Sequence, residues 1–421
     1  MIPEIKFTLP SILVEDVNRD EIRNQYREMM TDVCRRAVEL HQPEIVVDFE
    51  LLPQMTVEPQ WGEMITGLLR EVLEGFRARD HLNFLLRVTP VDTREFKKPP
   101  LRREGKELDD VLTSLRVCAR AGGDMLSIES TGGKEVTDLA VVETDIRGML
   151  FGIGVLASAD MEFLWDRISG IAAETNTISA GDTACGIANT AMVLADRNLI
   201  PKVFAAVVRT MTAVRSLVAY EMGAIGPGKD CGYENAFIKA ITGFPMSMEG
   251  KSAACAHLSA VGNIAGAYAD LWSNESVQDV KLLSASAPVV SMEQLIYDCR
   301  LFNTSLGKRK ENELRDWLVE SDATLDPQAF VFRPEIVGEI AQTLVSEGEY
   351  YRRTLAVARK TVELLTRGVN DRTLILSERE NKWLRKIENA LQDLHEDRET
   401  FIEQERKRWE ECTDVRQYGL K

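Results

Sequence analysis

Between about residue 20 and residue 300, short β-rich runs alternate with longer stretches whose apolar residues recur at helical spacing. The runs EIVVDFELL (Glu44 to Leu52), LNFLLRVTP (Leu82 to Pro90), GDMLSIES (Gly123 to Ser130), FGIGVLAS (Phe151 to Ser158) and NTISAGDT (Asn176 to Thr183) read as strands. Between them, Trp61 to Asp80 and Gly105 to Gly122 carry the amphipathic period of helices, and the run VFAAVVRTMTAVRSLVAYEMGA is also helical. This repetition predicts an α/β fold with a parallel sheet, and suits a (β/α)8 TIM barrel better than an open nucleotide-binding sheet. Past about residue 310 the chain becomes charge-dense and wholly helical. The predicted organisation is a barrel domain over residues 1–310 with a short N-terminal extension, and a helical extension over 311–421 packed on it. Helical additions are thus expected at both ends of the barrel.

Composition narrows the class of partner. The chain has 421 residues, 44% of them hydrophobic, and a net charge of −16. An acid excess of that size disfavours nucleic acid and anionic membrane surfaces, so small molecules and other proteins are the expected partners. The longest apolar stretch, Met149 to Ala159, is too short to span a bilayer, and the first residues lack the pattern of a secretory signal. Seven scattered cysteines, an odd number, argue against a disulfide framework. A cytoplasmic protein with reduced thiols is expected.

Three stretches gather Gly, Ser, Thr, Cys and carboxylates just after apolar strands: SIESTGGKE (Ser127 to Glu135), SAGDTACGIANTAM (Ser179 to Met192) and GPGKDCGYE (Gly226 to Glu234). In a barrel, strand ends far apart in sequence converge on one rim. Glu129, Cys185 and Cys231 are spaced too widely for a zinc finger, whose ligands come in close pairs, but suit three strand ends. Two thiolates and a carboxylate would leave a zinc ion one open position for a substrate oxygen. Flanking glycines (Gly181, Gly186, Gly232) permit turns that aim short thiols inward. A rival pair is Cys255 with His257, two apart and able to share one face of a strand. Cys185 as a nucleophile with His257 as base is a further plan, whereas no G-x-S-x-G elbow is present. Gly223, Gly228 and Lys229 match the G-x-x-x-x-G-K spacing of a phosphate loop. Asp230 then stands where Ser or Thr should hold magnesium, and the preceding run is helical instead of a strand.

The strings ETNTISAGDTACGIANTAM, EMGAIGPGKDCGYENAFIKAITGFPMSMEGKSAACAHLS and GNIAGAYADLWSNESV closely resemble the methanol:corrinoid methyltransferases of methylotrophic archaea and acetogenic bacteria. The resemblance runs from about residue 40 to 305. It implies a TIM barrel with helical additions, a homodimer, and one catalytic zinc per chain bound by a glutamate and two cysteines. These match Glu129, Cys185 and Cys231, and Cys255 and His257 become surroundings of the site. The implied reaction passes the methyl group of methanol to cob(I)alamin on a separate corrinoid protein, since no D-x-H-x-x-G cobamide motif is present. Asp182, close to a ligating cysteine, is the candidate acid or a residue that orients that ligand. The same chemistry on a methoxylated compound or methylated amine, and a non-catalytic scaffold for a corrinoid complex, are the alternatives.

Overall fold

The computed structural model describes residues 1–7, 12–275 and 283–420. The end of the third quoted string, Ser276 and Val277, and the last residue of the helical extension, Lys421, lie outside them. Seven strands, β1 (Ile2–Phe7), β2 (Glu44–Glu50), β3 (Asn83–Thr89), β4 (Met125–Ile128), β5 (Ile178–Asp182), β6 (Ser247–Glu249) and β7 (Leu271–Glu275), form one parallel sheet. Their order is β5-β4-β3-β2-β1-β7-β6. Residues 225–228 hydrogen-bond to both outer strands or their approaches: Ile225 N and Gly226 N donate to Ser179 O and Ala180 O, and Gly228 N donates to Pro245 O. The sheet therefore curls, with helices on its convex face.

Period-2 alternation sorts side chains between the two faces. Ile5, Val47, Phe49, Leu86 and Val88 join the main apolar core beneath the helices, while Val46, Met125, Ala180 and Leu271 form a separate apolar cluster on the concave face. Further along the same concave face the residues turn polar: Glu4, Lys6, Asp48, Arg87, Ser127 and Glu249 are all buried. This explains the first departure from expectation. Residues 2–7 are a strand in the interior of the sheet, between β2 and β7, and not a helical addition outside it. The charges in IPEIKF conceal the strand because Glu4 and Lys6 face the polar interior, where Glu4 pairs with Arg87 and Lys6 with Asp230.

The four predicted strands within residues 44–52, 82–90, 123–130 and 176–183 are β2, β3, β4 and β5. Phe151–Ala157, predicted as a strand, is instead a widened helical turn between helices Ile146–Leu150 and Ser158–Thr175. Its glycines serve close packing: a Cβ at Gly152 would lie 2.4 Å from Thr137 Cγ2, and one at Gly154 would lie 2.6 Å from Thr354 Oγ1. By length and composition, segments Ile146–Thr175 and Lys202–Glu221 could cross a membrane, yet their apolar windows are 89% and 100% buried inside the fold. Helix Tyr350–Asn370 packs on Lys202–Glu221, with the Thr210 and Thr361 hydroxyls 2.7 Å apart. The charge-dense later helices thus cover one of the most apolar elements of the chain.

Gly154→Val is expected to destabilise the fold by about 1–3 kcal/mol through overpacking, read as a lower urea midpoint. Gly170→Ala is the control, since nothing lies within 4 Å of a Cβ there; it is expected to be neutral or stabilising by up to about 1 kcal/mol.

Candidate metal centre

Glu129 follows β4, Cys185 opens the helix Cys185–Asp196 after β5, and Cys231 lies in the turn after residues 225–228. Each sits just beyond the C-terminal end of a strand or extended segment, where loops of a parallel sheet converge. One carboxylate oxygen and the two sulfurs lie within 4.8 Å of one another. Glu129 and Cys185 are partly exposed, whereas Cys231 is buried. The trio derived from spacing is therefore brought together in space.

Local chemistry prepares each member. Cys185 sits at a helix N-terminus, where the backbone dipole favours thiolate; Asn189, one turn on, donates Nδ2 to its sulfur at 3.2 Å and accepts from Arg209. Ahead of the cysteine, Ala184 N donates to Glu234 Oε1 at 2.6 Å, as does Ser216 Oγ at 3.0 Å. The turn bearing Cys231 is closed by Asn235, whose Nδ2 donates to Lys229 O and Ser247 O, and a Cβ at Gly232 would lie 2.4 Å from that nitrogen. Around the Cys231 sulfur stand Lys6 Nζ at 3.4 Å, Glu249 Oε1 at 3.0 Å and Glu129 Oε1 at 3.5 Å.

Burial and the Glu50 charge push the Glu129 carboxyl up to about 7. For Cys185 the hydrogen bond with Cys231 acts downward but is outweighed by burial and by Glu129 and Glu249, so the thiol is raised. Cys231 is raised well above a free thiol by its hydrogen bond with Cys185, burial and Asp230. Two thiols and a carboxyl converging side by side form a donor set suited to a divalent cation. Glu129 also lines a cleft of about 290 Å³ with Leu52, Val91, Thr131 and Ile187.

A family model for the methanol-cobalamin methyltransferase B subunit, MtaB, matches residues 1–419. The chain belongs to this family. The methanol–corrinoid protein co-methyltransferase of Methanosarcina barkeri (strain Fusaro / DSM 804) is 39% identical over 391 residues, 92% of this chain and 84% of that protein. The crystal structure of the methanol:cobalamin methyltransferase complex MtaBC from Methanosarcina barkeri aligns with a TM-score of 0.95 and 37% identity. The alignment covers 100% of this chain and 92% of the other.

Within this member of the family, the remaining candidates sort by position. Asp182 is fully buried and accepts from Thr183 N, Ser130 N, Arg215 Nη2 and Trp165 Nε1 at 2.7 to 3.2 Å. Four donors converge on it, and through Ser130 N it ties the end of β4 to β5. Cys255 lies in the short helix Lys251–Ala256, exposed, and belongs to no group of three ligand-type side chains among the described residues. His257 touches Glu249 Oε2 at 3.2 Å and so borders the site through that residue.

The apparent phosphate loop is a different structure. Lys229 is buried between Asp48 (2.6 Å), Glu50 (2.9 Å) and Asp230 (2.5 Å), which, against burial, hold its ammonium well above the usual range. Sequence reasoning missed Lys6 and Glu249 as neighbours of Cys231. The legible signal was alternating charge inside β-rich runs such as IPEIKF and VVDFE.

Lys229→Met is expected to cost about 3–5 kcal/mol, because it leaves the buried Asp48 carboxylate without its ammonium partner and Asp230 with Lys6 alone. The check is a denaturant midpoint, and a loss below about 1 kcal/mol would show the pair to be dispensable.

Proposed function

We propose that this chain is the zinc-dependent subunit that transfers the methyl group of methanol to cob(I)alamin carried by a separate corrinoid protein. Methanol, cob(I)alamin and one proton give methylcob(III)alamin and water. The observation that carries this reading is the convergence of Glu129, Cys185 and Cys231 at the strand ends of a chain in this family. The relatives support it by name: one is a methanol–corrinoid protein co-methyltransferase, the other a methanol:cobalamin methyltransferase complex. In this reading residues 225–228 serve as the eighth stave of a TIM barrel, the chain works as a homodimer, and the corrinoid protein docks over the cleft beside Glu129.

Glu129, Cys185 and Cys231 are the residues that would hold zinc. When bound, zinc supplies the Lewis acidity that turns the hydroxyl of methanol into a competent leaving group. The chain does the rest. Asn189 fixes the Cys185 sulfur by its amide, and Lys6 donates to the Cys231 sulfur. Lys6 thereby offsets part of the negative charge of the donor set. Leu52, Val91 and Ile187 give the cleft apolar walls that suit a methyl group and limit water. Asp182 holds Ser130 N and so the backbone beside Glu129.

Purified protein is expected to hold about one zinc per chain, lost in Cys185→Ala and Cys231→Ala. Asn189→Ala is expected to weaken zinc binding by about 10–100-fold. Mixed with reduced cobalamin and methanol, the wild type is expected to yield methylcobalamin, followed by its absorption spectrum. Zinc-loaded protein inert with methanol but active on a methoxylated compound or methylated amine would move the substrate assignment to that donor. Inactivity with every donor would favour a scaffold.

A further inference from the structure

The loop that follows Glu129 is held from a distant part of the chain. Thr131 donates its N and Oγ1 to Asp92 Oδ2 at 2.8 and 3.0 Å, and Arg102 donates to Thr131 Oγ1 and O at 2.8 and 2.9 Å and to Glu135 Oε2 at 3.0 Å. Onto this cluster close residues Thr413–Tyr418. Tyr418 OH donates to Glu135 Oε1 at 2.5 Å and accepts from Gly133 N and Arg102 Nε, each at 3.0 Å. Thr413 Oγ1 donates to the same Glu135 oxygen at 2.8 Å, and Arg102 N donates to Gln417 Oε1 at 3.2 Å.

Nothing in this arrangement is a surface accident. Tyr418 is 1% exposed, Arg102 0% and Glu135 8%. The phenol is saturated by one acceptor and two donors, so its removal takes the acceptor from buried Gly133 N and Arg102 Nε and one of two donors from Glu135 Oε1. Burial, outweighing Arg102, holds the phenol well above its ordinary range and so keeps it a neutral donor to Glu135. The loop it holds, Ser130 to Gly133, begins at the residue after Glu129 and leads into the helix Lys134–Val142, and Ser130 and Thr131 line the cleft.

We propose that Tyr418 is a positioning residue for the candidate metal centre: through Gly133, Arg102 and Glu135 it sets the loop from which Glu129 projects. The proposal rests on Glu129 being a ligand, and predicts that the segment after the last long helix, Val415–Tyr418, is part of the site's architecture although it touches neither sulfur. Its loss would show first in the residence of the metal and the mobility of that loop.

The test uses zinc-loaded full chain as wild type, Tyr418→Phe and Thr413→Val, with Gly368→Val, where a Cβ would lie 2.4 Å from Phe330 Cζ, as a variant destabilised elsewhere. Zinc release is followed with a chromophoric chelator and backbone order by hydrogen exchange over residues 130–136. Tyr418→Phe is expected to release zinc about 10-fold faster with raised exchange in that segment. Thr413→Val, which removes one of two donors to the same oxygen, is expected to change both in the same direction by less. Gly368→Val is expected to release zinc at the wild-type rate. Wild-type release and exchange in Tyr418→Phe overturn the proposal, and so does equal acceleration in Gly368→Val, which would mark the effect as general loss of stability. If Tyr418→Phe does not fold, Thr413→Val decides by the same readouts. A wild type without zinc overturns the metal-centre reading instead; the exchange over 130–136 still decides whether Tyr418 holds the loop.

Discussion

The ammonium of Lys229, fully buried among Asp48, Glu50 and Asp230, is the constraint on which the centre of this structure depends. An ion in the interior is tolerable only with partners at hydrogen-bond distance, and those partners are equally dependent on it. The consequence is geometric. Lys229 and Asp230 immediately precede Cys231, so pinning the ammonium to β2 fixes the turn that carries the thiol. Asp230 then caps the turn by accepting from Cys231 N at 2.9 Å.

That constraint belongs to a broader division of the concave face. Its lower layer is apolar, with Val46, Met125, Ala180 and Leu271, and its upper layers are charged. Arg87 spans strands by reaching Glu4 Oε1 and Ser127 Oγ, and closes on Pro227 O in the extended segment that joins the sheet's outer strands. A helix-covered parallel sheet would ordinarily be apolar on both faces. Here the polar layers order the loops above them, and those loops carry Glu129, Cys185 and Cys231. The fold spends buried charge where it needs fixed direction, since ion pairs, unlike apolar contacts, specify orientation.

How much of this the sequence showed depends on which face a residue serves. β2 to β4 were legible because their outward positions are large and apolar, and β5 because its short apolar run is bounded by turn residues. β1 was not, because its inward Glu4 and Lys6 read as solvent-facing charge until Arg87 and Asp230 are seen beside them. Phe151–Ala157 misread for the opposite reason: an apolar run with two glycines has no period to separate strand from helix, and its glycines answer to Thr137 and Thr354, distant in sequence. The convergence of Glu129, Cys185 and Cys231 was recoverable since each lies in a polar, glycine-rich stretch, two of them directly after a strand. Asp182 shares that context, yet its four donors come from three other segments as well as its own backbone, and no local pattern announces them.

The same division bears on the chemistry of the proposed centre. Two thiolates and a carboxylate carry three negative charges, more than a divalent cation neutralises, and Glu249 adds another within 3.0 Å of the Cys231 sulfur. Left uncompensated, that excess would weaken the pull on a substrate oxygen. Lys6 meets it directly, with Nζ 3.4 Å from the Cys231 sulfur, 3.1 Å from Asp230 and 3.7 Å from Glu249. A charge that β1 carries into the interior thus serves twice. It satisfies the carboxylates that hold the cysteine turn, and it draws electron density from the sulfur on which the Lewis acidity of the site would depend. The sheet interior and the candidate centre are therefore one electrostatic unit, and neither can be altered in charge without disturbing the other.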